Sequence, residues 1–244
     1  MWDSRLSSMN KEGLPMNREA YRMIENHMLS CMDSRDYAHG AEHVRRVLYI
    51  ALDIAAHEEN VDSDVLVCAC LLHDIGRSAQ AADPTVCHAA AGAEMARGYL
   101  LENGFSTEFA DRVAACIRAH RFRKDVPCDT IEAKILFDAD KLDVVGAIGI
   151  ARTLYYGAQF AEPLSSRSES GEILDGREKT GEHSFLHEYN FKLRKVYDGF
   201  HTARAAQIAA SRRQIAEDFY SAILTESRDA EKHGKSHLDN LLNP

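Results

Sequence analysis

No stretch of this chain carries enough consecutive apolar residues to cross a bilayer, which excludes a spanning helix. Residues Met1 to Asn10 bring polar and charged side chains where a signal peptide would need an apolar run, so the sequence reads as a soluble, cytoplasmic protein with no membrane partner. Basic excess is missing as well. Against 38 Asp and Glu stand 29 Lys and Arg, a formal net charge of −9. A phosphate backbone calls for a basic surface, so no stable nucleic-acid complex is expected. A small phosphorylated ligand needs only a local basic patch and is left open. The six cysteines (Cys31, Cys68, Cys70, Cys87, Cys116 and Cys128) include no CxxC pair and sit mostly in apolar stretches, as reduced structural thiols do. There is no internal repeat, no linker, and few alternating β-branched runs.

What is present is helical periodicity. With 244 residues, 45% of them hydrophobic, the chain can bury a full core. Apolar residues recur at three- and four-residue spacing almost throughout, which predicts an all-α fold. We read residues 1–244 as a single helical domain, with a core over about 17–160. A Ser-, Glu- and Gly-rich segment over about 161–182 is expected as an exposed, mobile loop. Two C-terminal helices follow, over roughly 183–197 and 202–227, then a frayed polar tail.

Within the core, Asn17 can cap a first helix and residues 41–58 form a second, with Val44, Val47, Leu48 and Ala51 inward and His43 near the same side. Asp62 or Ser63 caps an apolar helix that ends at His73-Asp74, with Gly76 as its stop. After the Asp83-Pro84 turn a helix over 86–103 carries His88 in its first turn. The next, from Ser106, ends at His120, beside Arg118, Arg121, Arg123 and Lys124. Thr130 caps the helix that runs into Asp138-Ala-Asp140-Lys141-Leu-Asp143. At about 100° per residue Asp140 and Asp143 share a face, whereas Asp138 points about 160° away from Asp140.

The informative stretch is Leu72-His73-Asp74-Ile-Gly-Arg77. A histidine and an aspartate at the end of an apolar run are costly to bury unless something compensates both, and a divalent cation does so. Imidazole nitrogen with carboxylate oxygen suits Mn, Mg, Fe, Ni, Co or Zn, its identity left open. His43, His73, Asp74 and one later aspartate would leave coordination positions for water, which is hydrolase chemistry. His39 is the rival of His43, but Gly40 places it before the regular helix. His88 and His120, at helix ends, could hold a second ion or phosphate oxygens, and Arg121 and Lys124 beside them suit a polyphosphate. Arg77 and Lys141, each following a proposed ligand, are placed to neutralise phosphoryl charge.

Ala-Glu-His43-Val-Arg-Arg-Val, Leu-Leu-His73-Asp74-Ile-Gly and Asp-Ala-Asp140-Lys-Leu-Asp143-Val-Val-Gly-Ala-Ile-Gly-Ile-Ala-Arg resemble the HD-domain metal-dependent phosphohydrolase superfamily, in its bacterial YedJ- and YpgQ-like branch. The similarity covers roughly residues 35–225. It departs at Gly40, where the branch often has Asp, and at Arg77, where another, often acidic, residue is common. The resemblance implies a helical HD bundle with additional C-terminal helices, one divalent cation on His43, His73, Asp74 and Asp140, and hydrolysis of a phosphoester or phosphoanhydride. The substrate would be a nucleotide, with nucleoside triphosphate pyrophosphohydrolysis as first choice. Asp74, or a neighbour such as Glu42 or Asp143, would take the proton. Two other readings stand beside it: a di-iron HD oxygenase, and a nucleotide-binding sensor with a structural metal. A homo-oligomer is compatible with all three.

Overall fold

The computed structural model describes residues 16–32, 38–121, 126–177 and 183–243. Among these the chain is helical, with no β-structure beyond one isolated antiparallel bridge between Arg167 and Ile173, so the all-α expectation holds. The chain forms two compact units, residues 1–143 and 144–244.

The first unit contains α1 (Arg18–Cys31), α2 (Ala41–Ala55), α3 (Ser63–Leu72), α4 (Arg77–Ala82), α5 (His88–Glu102), α6 (Thr107–Ala119) and α7 (Ile131–Leu142). Its centre is α3. Val65, Leu66, Cys68, Ala69, Cys70, Leu71 and Leu72 are all fully buried. A helix apolar on every side has to be surrounded, and α1, α2, α6 and α7 pack around it. Burial pushes the Cys70 thiol well up, which keeps it an inert packing residue.

The helix starts follow the capping rules. Asn17 Oδ1 accepts from the amides of Glu19 and Ala20, both at 2.9 Å, and Ser106 Oγ accepts from Phe109. Asp62, rather than Ser63, caps α3: its Oδ1 accepts from Asp64 and Val65 while its Oδ2 takes Arg112 at 2.7 Å. Thr130 Oγ1 does the same for α7 through Ala133.

Gly76 differs from its sequence reading as a helix stop. It has φ −82°, so no left-handed cap forms there; α3 ends at Leu72 and a turn over His73 to Gly76 leads into the short α4, which periodicity did not reveal. Glycine is required for closeness instead. A Cβ on Gly76 would lie 2.3 Å from the carbonyl oxygen of His88 and 2.5 Å from the amide nitrogen of Gly92. The turn that carries His73 and Asp74 thus rests directly on the backbone of α5.

The second unit holds α8 (Gly146–Gln159), then α9 (Phe185–Glu188), which passes through a π-helical turn (Tyr189–Leu193) into α10 (Arg194–Val196), and finally α11 (Ala203–Leu242). Gly146 has φ +67° and a Cβ there would meet Arg212 at 2.8 Å, so glycine serves both conformation and packing. Residues 161–177 are non-helical. Their turn is fastened to α11, where Arg228 donates to the Ile173 carbonyl and Arg167 pairs with Glu231. α11 runs on to Leu242, well past the expected end near 227. Glu231 and Lys235, paired one turn apart at 2.6 Å, support the added turns.

Replacing Gly76 by Ala forces a backbone shift at a packed contact and should cost about 1–3 kcal/mol. Denaturant unfolding of Gly76→Ala beside the parent chain measures this, and an unchanged midpoint would contradict the packing account.

Candidate metal centre

Six side chains from five places in the first unit converge: His43 from α2, His73 and Asp74 from the turn after α3, His88 from the start of α5, His120 from the end of α6 and Asp140 from α7. All are buried. They form two triads, His43–His73–Asp140 and Asp74–His88–His120, and the ligand atoms within each lie within 4.8 Å of one another.

The hydrogen bonds on the far side of each ring decide what the rings present. His43 Nδ1 is 2.7 Å from Asp143 Oδ2, His73 Nδ1 is 2.8 Å from the Cys70 carbonyl, His88 Nδ1 is 2.7 Å from Gln80 Oε1, and His120 Nδ1 is 2.6 Å from the Ile117 carbonyl. Each partner is an acceptor, so in the neutral ring Nδ1 holds the hydrogen and Nε2 is a bare lone pair. Four such lone pairs point inward. His43 Nε2 and His73 Nε2 stand 3.2 Å apart with no proton between them in that state.

Asp74 completes the pattern. Its Oδ2 lies 3.5 Å from His43 Nε2 and 3.6 Å from His73 Nε2, and this buried oxygen has no hydrogen-bond partner. Its Oδ1 lies 3.7 Å from both His88 Nε2 and His120 Nε2 and accepts from Arg77 Nε at 3.0 Å. Asp140 Oδ1 is 3.4 Å from His43 Nε2, while its Oδ2 accepts from Lys141 Nζ at 2.7 Å. Lone pairs and carboxylate oxygens facing one another in a dry pocket repel unless something positive sits among them. The nitrogen and oxygen donor set of His43, His73, Asp74 and Asp140 fits a divalent cation on those grounds.

Charge is held accordingly. Burial pushes His73 down to about 4, and burial together with Arg77 pushes His88 down to about 2, so both rings are neutral at pH 7. Burial alone would raise the carboxyls of Asp74 and Asp140. Arg77 at the first, Lys141 at the second, and the surrounding imidazoles outweigh it and hold both well below the usual carboxylate range.

The residues expected from sequence take distinct places. His43, His73, Asp74 and Asp140 do meet, and His88 and His120 are buried beside them. Asp143, expected as a proton acceptor, has both oxygens engaged: Oδ2 with His43, and the pair with Arg46 through Nε at 2.8 Å and Nη2 at 3.0 Å. Its geometry is that of a carboxylate that orients a ligand. Glu42 is exposed at the surface, 3.7 Å from Arg46. Arg121 lies near His88 and donates to Cys87 Sγ, whereas Arg118 pairs with Glu94 on the surface. Arg123 and Lys124 fall outside the described residues. Arg46 and Gln80 escaped sequence reading. Arg46 follows His43 by three positions on one helix face, a spacing that could have marked it.

A family model described as the HD domain matches residues 40–145, which span all six converging side chains. A predicted HD superfamily hydrolase from an uncultured Thermotogales bacterium, solved by crystallography, is 30% identical and covers 84% of this chain and 91% of its own, with a TM-score of 0.56. The chain belongs to the HD superfamily. Among HD relatives, the uncharacterized YpgQ of Bacillus subtilis is 28% identical over 201 residues, 80% of this chain and 88% of YpgQ. A crystal structure of YpgQ in complex with ADP shares the HD fold at a TM-score of 0.63 and 24% identity, covering 84% and 97% of the two chains.

Two outcomes follow from this geometry. Arg46→Ala frees Asp143 from its fork and should weaken divalent-metal binding roughly 10- to 100-fold, read by equilibrium dialysis, with helicity unchanged. The second concerns acid. An unfolded His73 titrates near 6.5 and the folded one near 4, so the unfolded chain gains the proton first; stability is complete above about pH 6.5 and declines as pH falls towards 4. At roughly 1.4 kcal/mol per pH unit the loss for His73 is about 3 kcal/mol. Chelator-treated protein melted across pH 4 to 8 tests it, and a flat profile would refute the buried neutral ring.

Proposed function

We propose that this protein is a metal-dependent phosphohydrolase that cleaves a nucleotide, and that its first reaction to test is hydrolysis of a nucleoside triphosphate to monophosphate and pyrophosphate. The observation that carries the reading is the set of four Nε2 atoms turned inward and the buried Asp74 oxygen without a hydrogen-bond partner, enclosed by Arg77, Lys141 and Arg121. The first half suits a cation and the second suits phosphate oxygens. That the relative YpgQ was crystallised with ADP supports a nucleotide as the ligand class.

His43, His73, Asp74 and Asp140 would hold a divalent cation, which when bound would supply Lewis acidity and lower the pKa of a water towards neutrality. The protein's own groups do the rest. Asp143, itself fixed by Arg46, keeps the hydrogen of His43 on Nδ1 and so keeps Nε2 available. The Cys70 carbonyl does the same for His73. Arg77 and Lys141 balance negative charge on the phosphoryl oxygens as the water oxygen bonds to phosphorus and the bridging P–O bond breaks. The leaving phosphate takes the electron pair. The proton released from water leaves with the departing phosphate, while Asp74 Oδ2, buried and without a hydrogen-bond partner, is the oxygen that Asp74 would bring to the cation.

The test is a panel of nucleotides incubated with metal-loaded protein, with phosphate and pyrophosphate release separated. The parent chain should release one of them in a metal-dependent manner, and His73→Ala/Asp74→Ala should lose at least about 1000-fold in turnover. Equal turnover by that variant would sink the assignment.

A further inference from the structure

The second triad has the makings of a cation site, yet one of its three ligand atoms is already claimed. Asp74 Oδ1 accepts from Arg77 Nε at 3.0 Å, while His88 Nε2 and His120 Nε2 stand off at 3.7 Å. The guanidinium is thus nearer to the shared oxygen than either ring. Its stem starts α4, and Gln80, one turn further on the same helix, fixes the His88 ring through Nδ1. One short helix therefore carries both the clamp on His88 and the charge that competes for its partner.

Charge counting points the same way. Each of the carboxylates Asp74, Asp140 and Asp143 already has a basic partner, in Arg77, Lys141 and Arg46 respectively. One divalent cation adds a charge of +2 to this centre, which an incoming phosphate offsets. A second would add the same again with Arg77 still in place, and Arg121, which donates to Cys87 Sγ, lies beside His88 as well. Uncompensated buried charge is among the costliest arrangements a protein can hold.

We infer that Arg77 is the built-in second cation of this centre: it occupies the shared oxygen of Asp74, limits the chain to one tightly held divalent ion, and masks a second site made of Asp74, His88 and His120. This rests on the metal reading of the first triad, given above. It assigns Arg77 a role that precedes any contact with substrate, since the guanidinium decides the metal count of the resting protein. Removing its charge should leave the second triad as three ligand atoms without a competitor.

Chelator-stripped full-length protein titrated with Mn²⁺ in a calorimeter, with electron paramagnetic resonance of the loaded samples, separates the possibilities. The parent chain should bind one equivalent and give the spectrum of an isolated ion. Arg77→Gln should bind two, the second at least 10-fold tighter than any second equivalent of the parent, with the exchange-coupled spectrum of a close pair. Adding His88→Ala to Arg77→Gln should return the count to one. Arg77→Met, which keeps the aliphatic stem, repeats the measurement should the Gln variant lose helicity, and Arg77→Lys, which keeps the charge, should stay at one. Two equivalents in the parent chain, or one in folded charge-removed variants, would overturn the inference. No stoichiometric Mn²⁺ in the parent would instead overturn the metal reading beneath it.

Discussion

Asp74 is the point on which the centre depends, because its two oxygens serve two groups of imidazoles. Oδ2 lies within 3.6 Å of the His43 and His73 nitrogens, and Oδ1 within 3.7 Å of those of His88 and His120. A carboxylate fully enclosed and short of hydrogen-bond donors is unstable without positive charge nearby. Arg77 supplies part of it, and the remainder is what a bound cation would supply. The surrounding helices can be understood as solutions to that one problem. α3 delivers the aspartate from a largely apolar column, and α2, α5 and α6 each bring a ring whose outer nitrogen is tied down.

The four ties differ in kind, and the difference matters. His73 and His120 hydrogen-bond to carbonyls three residues earlier in their own segments, so their orientation comes with the helix end and needs nothing distant. His43 depends on Asp143, one hundred positions away in sequence, and on the Arg46 fork that holds it. His88 depends on a neutral amide, Gln80. The ring with the anionic partner is the more electron-rich donor. The two triads are therefore not chemically equal, the first offering the stronger imidazole donor to any cation held there.

Much of this was legible in the chain itself. Periodicity exposed the helices, and the dipeptide His73-Asp74 at the end of an apolar run announced a polar site because its placement contradicts packing. His43 and Asp140 could be joined to it through their motifs. The burial of His88 and His120 could not be read, since a histidine at a helix end looks like surface until the fold closes over it. The work of Asp143 was obscured because helix geometry places it on the Asp140 face without saying whether its oxygens are free. Gly76 misled for a related reason: its meaning lies in a contact with Gly92, sixteen positions on, which no local signal encodes. The length of α11 was missed because its final turns are polar, and their hold comes from ion pairs rather than from an apolar stripe.

The contact between Gly76 and α5 sets a hard stop inside the centre. Backbone touches backbone there, with no side chain between the turn bearing Asp74 and the helix bearing His88. A layer of side chains can be repacked in either direction, larger or smaller, and so lets a lineage tune a spacing by degrees. Bare main chain has no smaller state. The approach of the Asp74 turn to the helix of His88 sits at its minimum, and any variation at this crossing can only widen it.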